Sequence, residues 1–332
     1  MNNLIDANKT ENWRPTATFS ALKFRAQILS KIRAFFAARN VLEVETPLLS
    51  HSSVTDPYIH SITAQYSPTG SKQKTIMYLQ TSPEYAMKRL LAAGSGSIYQ
   101  ICKAFRNGES GRKHNPEFTM LEWYRPNFNH HDLMSEMDEF LQYVINSKSA
   151  KKMSFAEVFN HYLKINPHTV PINELKNCAI NNNLSIPHGI DENHRDTWLD
   201  LIMSHIIEPH LGQTEPLFIF DYPASQAALS RIRHDEIPVA ERFEVYIKGV
   251  ELANGFHELS DATEQRQRFE ENLIERRTFG YDEIPIDENL IAALKHGLPH
   301  CSGVAVGIDR LMMIAANANS IAEIISFPIE RA

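Results

Sequence analysis

Glu244 and Glu251 stand on either side of a Lys248-Gly249 pair. Glycine accepts the left-handed backbone of a tight two-residue turn, so the stretch from Arg242 and the stretch Val250 to Asn254 read as a β-hairpin. That turn pairs Tyr246 with Glu251 and Glu244 with Ala253, which sets the two carboxylates diagonally on one face, roughly 7 Å apart at the backbone. Two acids so placed can share a cation, and hard oxygen ligands with room for phosphates suit magnesium. Two ordinary surface acids fit the same pattern.

Two further groups carry chemical potential. In the strand expected over residues 117–126, Phe118, Met120, Glu122 and Tyr124 share one side and Thr119, Leu121 and Trp123 the other. A carboxylate between aromatic rings is costly to bury unpaired. Arg106, on the face of Cys102 and Ala104 in the preceding strand, approaches Phe118 or Glu122 across the hairpin, and an internal Arg–Glu pair is the plainer reading. In Gly307-Ile308-Asp309-Arg310 a glycine permits close backbone approach just where a helix begins. Helix N-termini favour anions, and an arginine there adds a fork matched to phosphate oxygens. A helix cap followed by a surface arginine fits equally.

Several elements must hold these groups. From Phe24 the apolar positions Ile28, Ile32, Phe35 and Phe36 recur at helical spacing, giving an amphipathic helix that ends near Asn40. Alternation in Val41-Leu42-Glu43-Val44-Glu45 then predicts a short strand stopped by Pro47. Residues 98–106 and 117–126 form a second hairpin whose long basic tip carries Gly108, Gly111, Arg112 and His114. Leu133, Met137, Phe140, Leu141 and Val144 predict a helix with Asp132 as N-cap. Residues 1–20 are polar and aperiodic and read as an N-terminal arm, and the stretch of about 150–235 reads as a mostly helical insertion. Strands separated by long helical stretches predict an α+β fold, a mainly antiparallel sheet flanked by helices.

Composition narrows the alternatives. The 332 residues are 43% hydrophobic, enough for a sizeable core, and carry a formal net charge of -7, which disfavours a chain built chiefly to neutralise nucleic-acid phosphates. No run of about 18 apolar residues or basic-then-apolar leader is seen, so a cytoplasmic protein without membrane contact is expected. Cys102, Cys178 and Cys301 fit neither a disulfide framework nor a paired zinc site. Gly94-Ser95-Gly96 reads as a turn, not a phosphate cradle, and the histidines, among them His130-His131, His205 and His210, read as surface or packing residues.

Taken together, the segments from about residue 20 onward resemble the three signature motifs of class II aminoacyl-tRNA synthetases, in the lysyl subgroup. Motif 1 is the helix and strand ending at Pro47. Motif 2 runs from Phe105-Arg106-Asn107 through His114-Asn115-Pro116-Glu117-Phe118, and motif 3 is Gly307-Ile308-Asp309-Arg310. The resemblance implies one class II catalytic domain over 21–332, a homodimer formed through the motif 1 helix, and ATP with Mg2+ as cofactors. It assigns Arg106 to the α-phosphate, Phe118 to stacking on adenine and Arg310 to the γ-phosphate. Asn107, His114, Asn115, Glu251, Leu252 and Gly307 complete the nucleotide site, with Glu244 and Glu251 as the metal carboxylates. Around the amino acid it places Ser82, Pro83 and Glu84 at the α-amino end, Tyr124 and Glu258 at the ε-amino end, and Glu122, Asn254 and Ala305 between. Acids at both ends imply a dicationic substrate, lysine or an analogue.

Three departures from the lysyl pattern matter. Only about 20 residues precede motif 1 here, so no anticodon-binding domain is expected, and the strings TSPEYAMKRLL, HNPEFTMLEWYRP, PASQAALS and AERFEVYIKGVELANGFHEL are similar to truncated lysyl-tRNA synthetase paralogues. Those paralogues activate (R)-β-lysine or lysine and join it to a lysine ε-amino group of elongation factor P. The alternatives are a small enzyme that charges tRNA or another amine, and a non-catalytic lysine-binding regulator. Ser82 and Ala305 stand where the synthetases have alanine and glycine, and Ala305 is expected to disfavour α-lysine. Gly108 replaces the acid that usually follows the motif 2 arginine. On a regular strand the next acid, Glu109, would face away from Arg106, whereas a shifted loop would bring it back.

Overall fold

The computed structural model describes residues 13–186 and 191–332; most of the expected N-terminal arm, residues 1–12, lies outside them. Helix α1 (Phe19–Ala37) leads to the short strands β1 (Leu42–Glu43), β2 (Leu49–Ser50), β3 (Thr63–Tyr66) and β4 (Thr75–Leu79). Helix α2 (Glu84–Ala92), strands β5 (Ile98–Phe105) and β6 (Glu117–Pro126) and helix α3 (His130–Ile145) follow. Next come β7 (Lys151–Ser154), the helices α4 (Phe155–Leu163), α5 (Ile172–Asn181) and α6 (Arg195–Ile202), then β8 (Leu217–Pro223) and β9 (Ile232–Arg233). Then come β10 (Val239–Ile247), β11 (Val250–His257), α7 (Ala262–Thr278), α8 (Glu288–Gly297), β12 (Cys301–Gly307) and α9 (Ile308–Ala316), followed by two short C-terminal turns, Ile321–Glu323 and Ile329–Arg331.

The main sheet has the order β1-β5-β6-β12-β11-β10-β8-β7, with β9 on the end of β10; β2, β4 and β3 form a small second sheet. Only the outer pairs β1/β5 and β7/β8 are parallel, so the mainly antiparallel α+β expectation holds. The stretch expected to be a helical insertion does carry α4–α6, but it is bounded by β7 and β8, which are strands of this sheet. In β8 the run Leu217-Phe218-Ile219 is buried on both faces and therefore lacks the alternation that marks a half-exposed strand.

One face of the sheet packs against α1, α3 and α9. Ile28, Ile32, Phe35 and Phe36 of α1 are all buried there, with the Phe36 ring stacked at 4.4 Å on Tyr99 and edge-on to Trp123 at 5.3 Å. The apolar face of α1 is thus covered from within the chain, and it does not by itself call for a second subunit. The helix begins earlier than its apolar period indicates, because the Thr18 hydroxyl caps it by accepting from the Ala21 N–H. Likewise α3 is capped by Asn129 and not by Asp132; Asp132 sits three residues in and accepts from the Asn129 N–H, a reciprocal capping box. No helix among the described residues is long and apolar enough to cross a membrane.

A single buried carboxylate ties three of these elements together. Asp309, in the first turn of α9, accepts from Arg25 Nη1 of α1 at 2.5 Å and from the Thr119 backbone N–H of β6 at 2.7 Å. Arg25 Nη2 also donates to the Thr119 hydroxyl at 2.7 Å. Loss of Asp309 leaves the Arg25 charge without a counter-charge and the Thr119 N–H without its acceptor in a largely dry place. Asp309→Ala should therefore lower the unfolding free energy by about 3–5 kcal/mol, read as a lower denaturant midpoint at unchanged slope.

Candidate active site

The other face of the sheet carries the site, laid out in rows set by strand register. One row runs Gln100, Glu122, Ala305, Asn254 and Glu244 across β5, β6, β12, β11 and β10. The adjacent row runs Ile98, Tyr124, Gly303, Phe256 and Arg242. Gly303 is required there: a Cβ would lie 2.2 Å from the Tyr124 ring and 2.7 Å from Glu258 Oε1.

The β10/β11 turn forms as expected, with Lys248 and Gly249 both left-handed and Tyr246 opposite Glu251. Beyond that pair the register shifts by one. Val245 faces Ala253 and Glu244 faces Asn254, whereas simple pairing puts Glu244 opposite Ala253. The extra residue is a β-bulge in β11: Leu252 and Ala253 both enter the core behind the sheet, and Asn254 returns to the site face. Glu251 and Glu244 keep their diagonal relation through Tyr246. The side chain of Leu252 points away from any nucleotide, so only its backbone borders the site.

At the nucleotide end, the Arg106 guanidinium lies 5.2 Å over the Phe118 ring. Strand β5 stops at Phe105, and a turn through left-handed Gly108 brings Glu109 back to within 3.6 Å of Arg106, so the shifted-loop alternative is the one realised. Asn107 is an exposed residue of this turn. Arg310 donates to the Glu251 carbonyl at 2.8 Å and to His114 Nε2 at 2.6 Å. Burial and the Arg310 charge both lower the His114 pKa, which keeps the ring neutral and able to accept. Gly307 occupies the N-cap position of α9 and offers no side-chain cap, leaving the first N–H groups of that helix uncovered by its own residues. The Asn115 amide is engaged by the chain: it donates to the Glu117 carbonyl and accepts from the Ile329 N–H at 2.9 Å, while the Ile321 N–H donates to the Arg112 carbonyl. Those bonds latch the motif 2 loop onto the C-terminal turns.

Between the ends, Glu244 is held by Tyr246 and Tyr222 hydroxyls at 2.5 and 2.7 Å and by Arg242. Arg242 also donates to Asn254 Oδ1 at 3.1 Å and lies 4.6 Å over the Tyr222 ring. Burial, and then the charge of Glu244, push the Glu251 carboxyl up to about 7. Two acids that repel each other in this way are a donor set suited to a divalent cation.

The amino-acid end is a nest of acids. Ser82 Oγ donates to Glu122 at 2.5 Å and Tyr124 Oη donates to it at 3.1 Å. Pro83 is the N-cap of α2, and Glu84, its first residue, has its N–H bonded to Ser82 Oγ. Burial, and then Glu84, push Glu122 up to about 8; burial with Glu84 and Glu122 nearby does the same to Glu258. A residue absent from the sequence reading lies among them: Lys88 Nζ is 2.7 Å from Glu84 and 2.6 Å from Glu258. The four-residue step from Glu84 to Lys88 on a helix was a legible signal, as were Arg242, Glu244 and Tyr246 alternating along one strand face.

Behind the sheet, His130, Glu241 and His257 bring ligand-type atoms within 4.8 Å of one another. His130 is buried, more so than a surface histidine should be. Arg231 lies 3.3 Å from His257 Nε2 and 3.9 Å from Glu241, and Arg233 holds the neighbouring Asp221, so these acids already have cationic partners.

Comparison with known proteins agrees with this geometry. Residues 6–331 match the family model of tRNA synthetases class II (D, K and N). The elongation factor P–(R)-β-lysine ligase of Pectobacterium carotovorum subsp. carotovorum is 48% identical over 325 residues, 98% of this chain and 100% of the relative. The protein of the same name from Edwardsiella ictaluri is 50% identical over 321 residues, 97% of this chain and 98% of the relative. With its nucleotide-end and amino-acid-end residues gathered at one sheet and the match spanning nearly every residue, the chain belongs to the class II tRNA synthetases of the D, K and N family.

Proposed function

We propose that this protein is an ATP-dependent ligase that activates (R)-β-lysine, or lysine, as an adenylate and transfers it to the ε-amino group of a lysine of elongation factor P. The observation that carries the reading is identity near one half, over essentially full length, to relatives named for that reaction. The acid-lined pocket supports it, because two ammonium groups supply the positive charge that its carboxylates lack.

In the first step a substrate carboxylate oxygen attacks the α-phosphorus of ATP, and pyrophosphate leaves. In the second, the deprotonated ε-amine of the acceptor lysine attacks the activated carbonyl carbon, an amide forms, and AMP leaves with the bonding pair. Neither step needs an acid or base of unusual strength, so orientation and charge neutralisation supply most of the acceleration. Arg106 and Phe118 would hold the α-phosphate and adenine, and Arg310 the terminal phosphate. Magnesium, held by Glu244 and Glu251, would neutralise phosphate charge. The same reading makes the protein a cytoplasmic homodimer, and exposed Leu42 and Leu49, on the short strands that follow the motif 1 helix, offer apolar surface that supports it.

Intact-mass spectrometry of elongation factor P after incubation with this protein, ATP, magnesium and (R)-β-lysine tests the reading. The expected result is a gain of one lysyl group, with tRNA in the same tube left uncharged; charged tRNA and an unmodified factor would overturn the acceptor. Arg106→Ala and Arg310→Ala should each reduce amino-acid-dependent pyrophosphate exchange by roughly 100-fold or more. Ala305 lies between Glu122 and Asn254, so Ala305→Gly should shift the preference toward α-lysine by about 1 kcal/mol or more, read from the ratio of kcat/KM values.

A further inference from the structure

Lys88 lies where the pocket's charge is decided. Its side chain is 1% exposed, as is that of Glu258, and Glu84 is 15% exposed. Its Nζ touches one oxygen of each carboxylate, Oε1 of Glu84 and Oε2 of Glu258. The second oxygen of Glu258 borders the space kept open by Gly303 beside Tyr124. Burial alone would depress the ammonium, but Glu258 and Glu84 hold its pKa above the ordinary value, so it stays charged. One buried cation therefore sits among three acids, Glu84, Glu122 and Glu258, and fixes the separation of two of them.

We propose that Lys88 is a positioning residue that ties Glu84 and Glu258 into a clamp of fixed width, and that this clamp selects the amino acid by the spacing between its two ammonium groups. The inference rests on the functional reading above and names the device behind its substrate choice. (R)-β-Lysine carries its amino groups one carbon closer together than α-lysine does. Two carboxylates joined through a single nitrogen are close together, which suits the shorter diammonium. They are also rigid: α2 carries Glu84 and Lys88 one turn apart, and Glu258 follows directly on β11. An unclamped pair of long glutamate side chains would adjust to either spacing and discriminate less.

The test measures amino-acid-dependent pyrophosphate exchange with (R)-β-lysine and with α-lysine for the full-length wild type, Lys88→Met and Lys88→Arg, from about pH 6 to about pH 9. Lys88→Met keeps the length and removes the charge. It should raise KM for (R)-β-lysine about tenfold or more, leave KM for ATP unchanged, and narrow the ratio of kcat/KM between the two amino acids. Without the ammonium, which lowers the pKa values of Glu122 and Glu258, those two acids should also hold protons to higher pH, moving the KM minimum upward; a purely structural role would not move it. Lys88→Arg keeps the cation but widens the clamp, so it should fold, retain the wild-type pH profile and still lose discrimination. This second variant decides the matter if the methionine form does not fold. An unchanged amino-acid ratio in the folded variants overturns the clamp while leaving the ligase reading intact. A wild-type enzyme silent with both amino acids overturns the ligase reading, and the clamp with it.

Discussion

The phase of β11 governs which side chains reach the substrate face. Side chains alternate along a strand, so a single inserted residue reverses every position beyond it. The bulge that sends Leu252 and Ala253 together into the core is what returns Asn254 to the row of Ala305 and Glu122, and Glu258 to the side of Tyr124 and Lys88. A regular strand would direct Glu251 and Ala253 into the site and bury Asn254 against aliphatic carbon. The nucleotide end and the amino-acid end thus lie on one face only because the strand is irregular between them.

Charge is distributed to match two different cations. At the amino-acid end three acids surround one lysine; at the nucleotide end Glu244 and Glu251 repel each other while arginines stand to either side. Burial raises the pKa values of Glu122 and Glu258 at one end and of Glu251 at the other more than neighbouring cations lower them, so each place is completed by positive charge from a ligand. The arginines at positions 106 and 310 have the opposite character: their nearest carboxylates lie 3.6 Å (Glu109) and 3.7 Å (Glu251) away, and Arg310 is otherwise held by neutral acceptors, the Glu251 carbonyl and His114. A guanidinium held by so loose a partner can exchange it for phosphate with little penalty.

How legible this was in the sequence depended on range. The period of Ile28, Ile32, Phe35 and Phe36, the hairpin ends around residues 105 and 117, and the Lys248-Gly249 turn were readable because propensity and spacing act locally. Choosing between Asn129 and Asp132 as helix cap was harder, since both are short acceptors three residues apart and both take part. The bulge left no mark in Glu251-Leu252-Ala253. Asn254 entered the site reading through family resemblance alone, against the register that simple pairing gives. In the sequence Lys88 shows only as a helix-surface partner of Glu84, because Glu258, which makes it more than that, is brought to it only by the tertiary fold. Strand β8 was hidden by its own burial, because a strand covered on both faces has no period of two.

The latch between the motif 2 loop and the C-terminal turns bears on how the molecule comes into being. Asn115 waits for a partner 214 residues further along, and Arg112 for Ile321. Such distant contacts form slowly, after the local ones. During synthesis on the ribosome the hairpin of β5 and β6 is complete long before the residues that fasten its tip exist. A nascent chain stalled short of Ile321 therefore lacks the contacts that organise its nucleotide loop, which delays ATP capture until translation of this chain is almost finished.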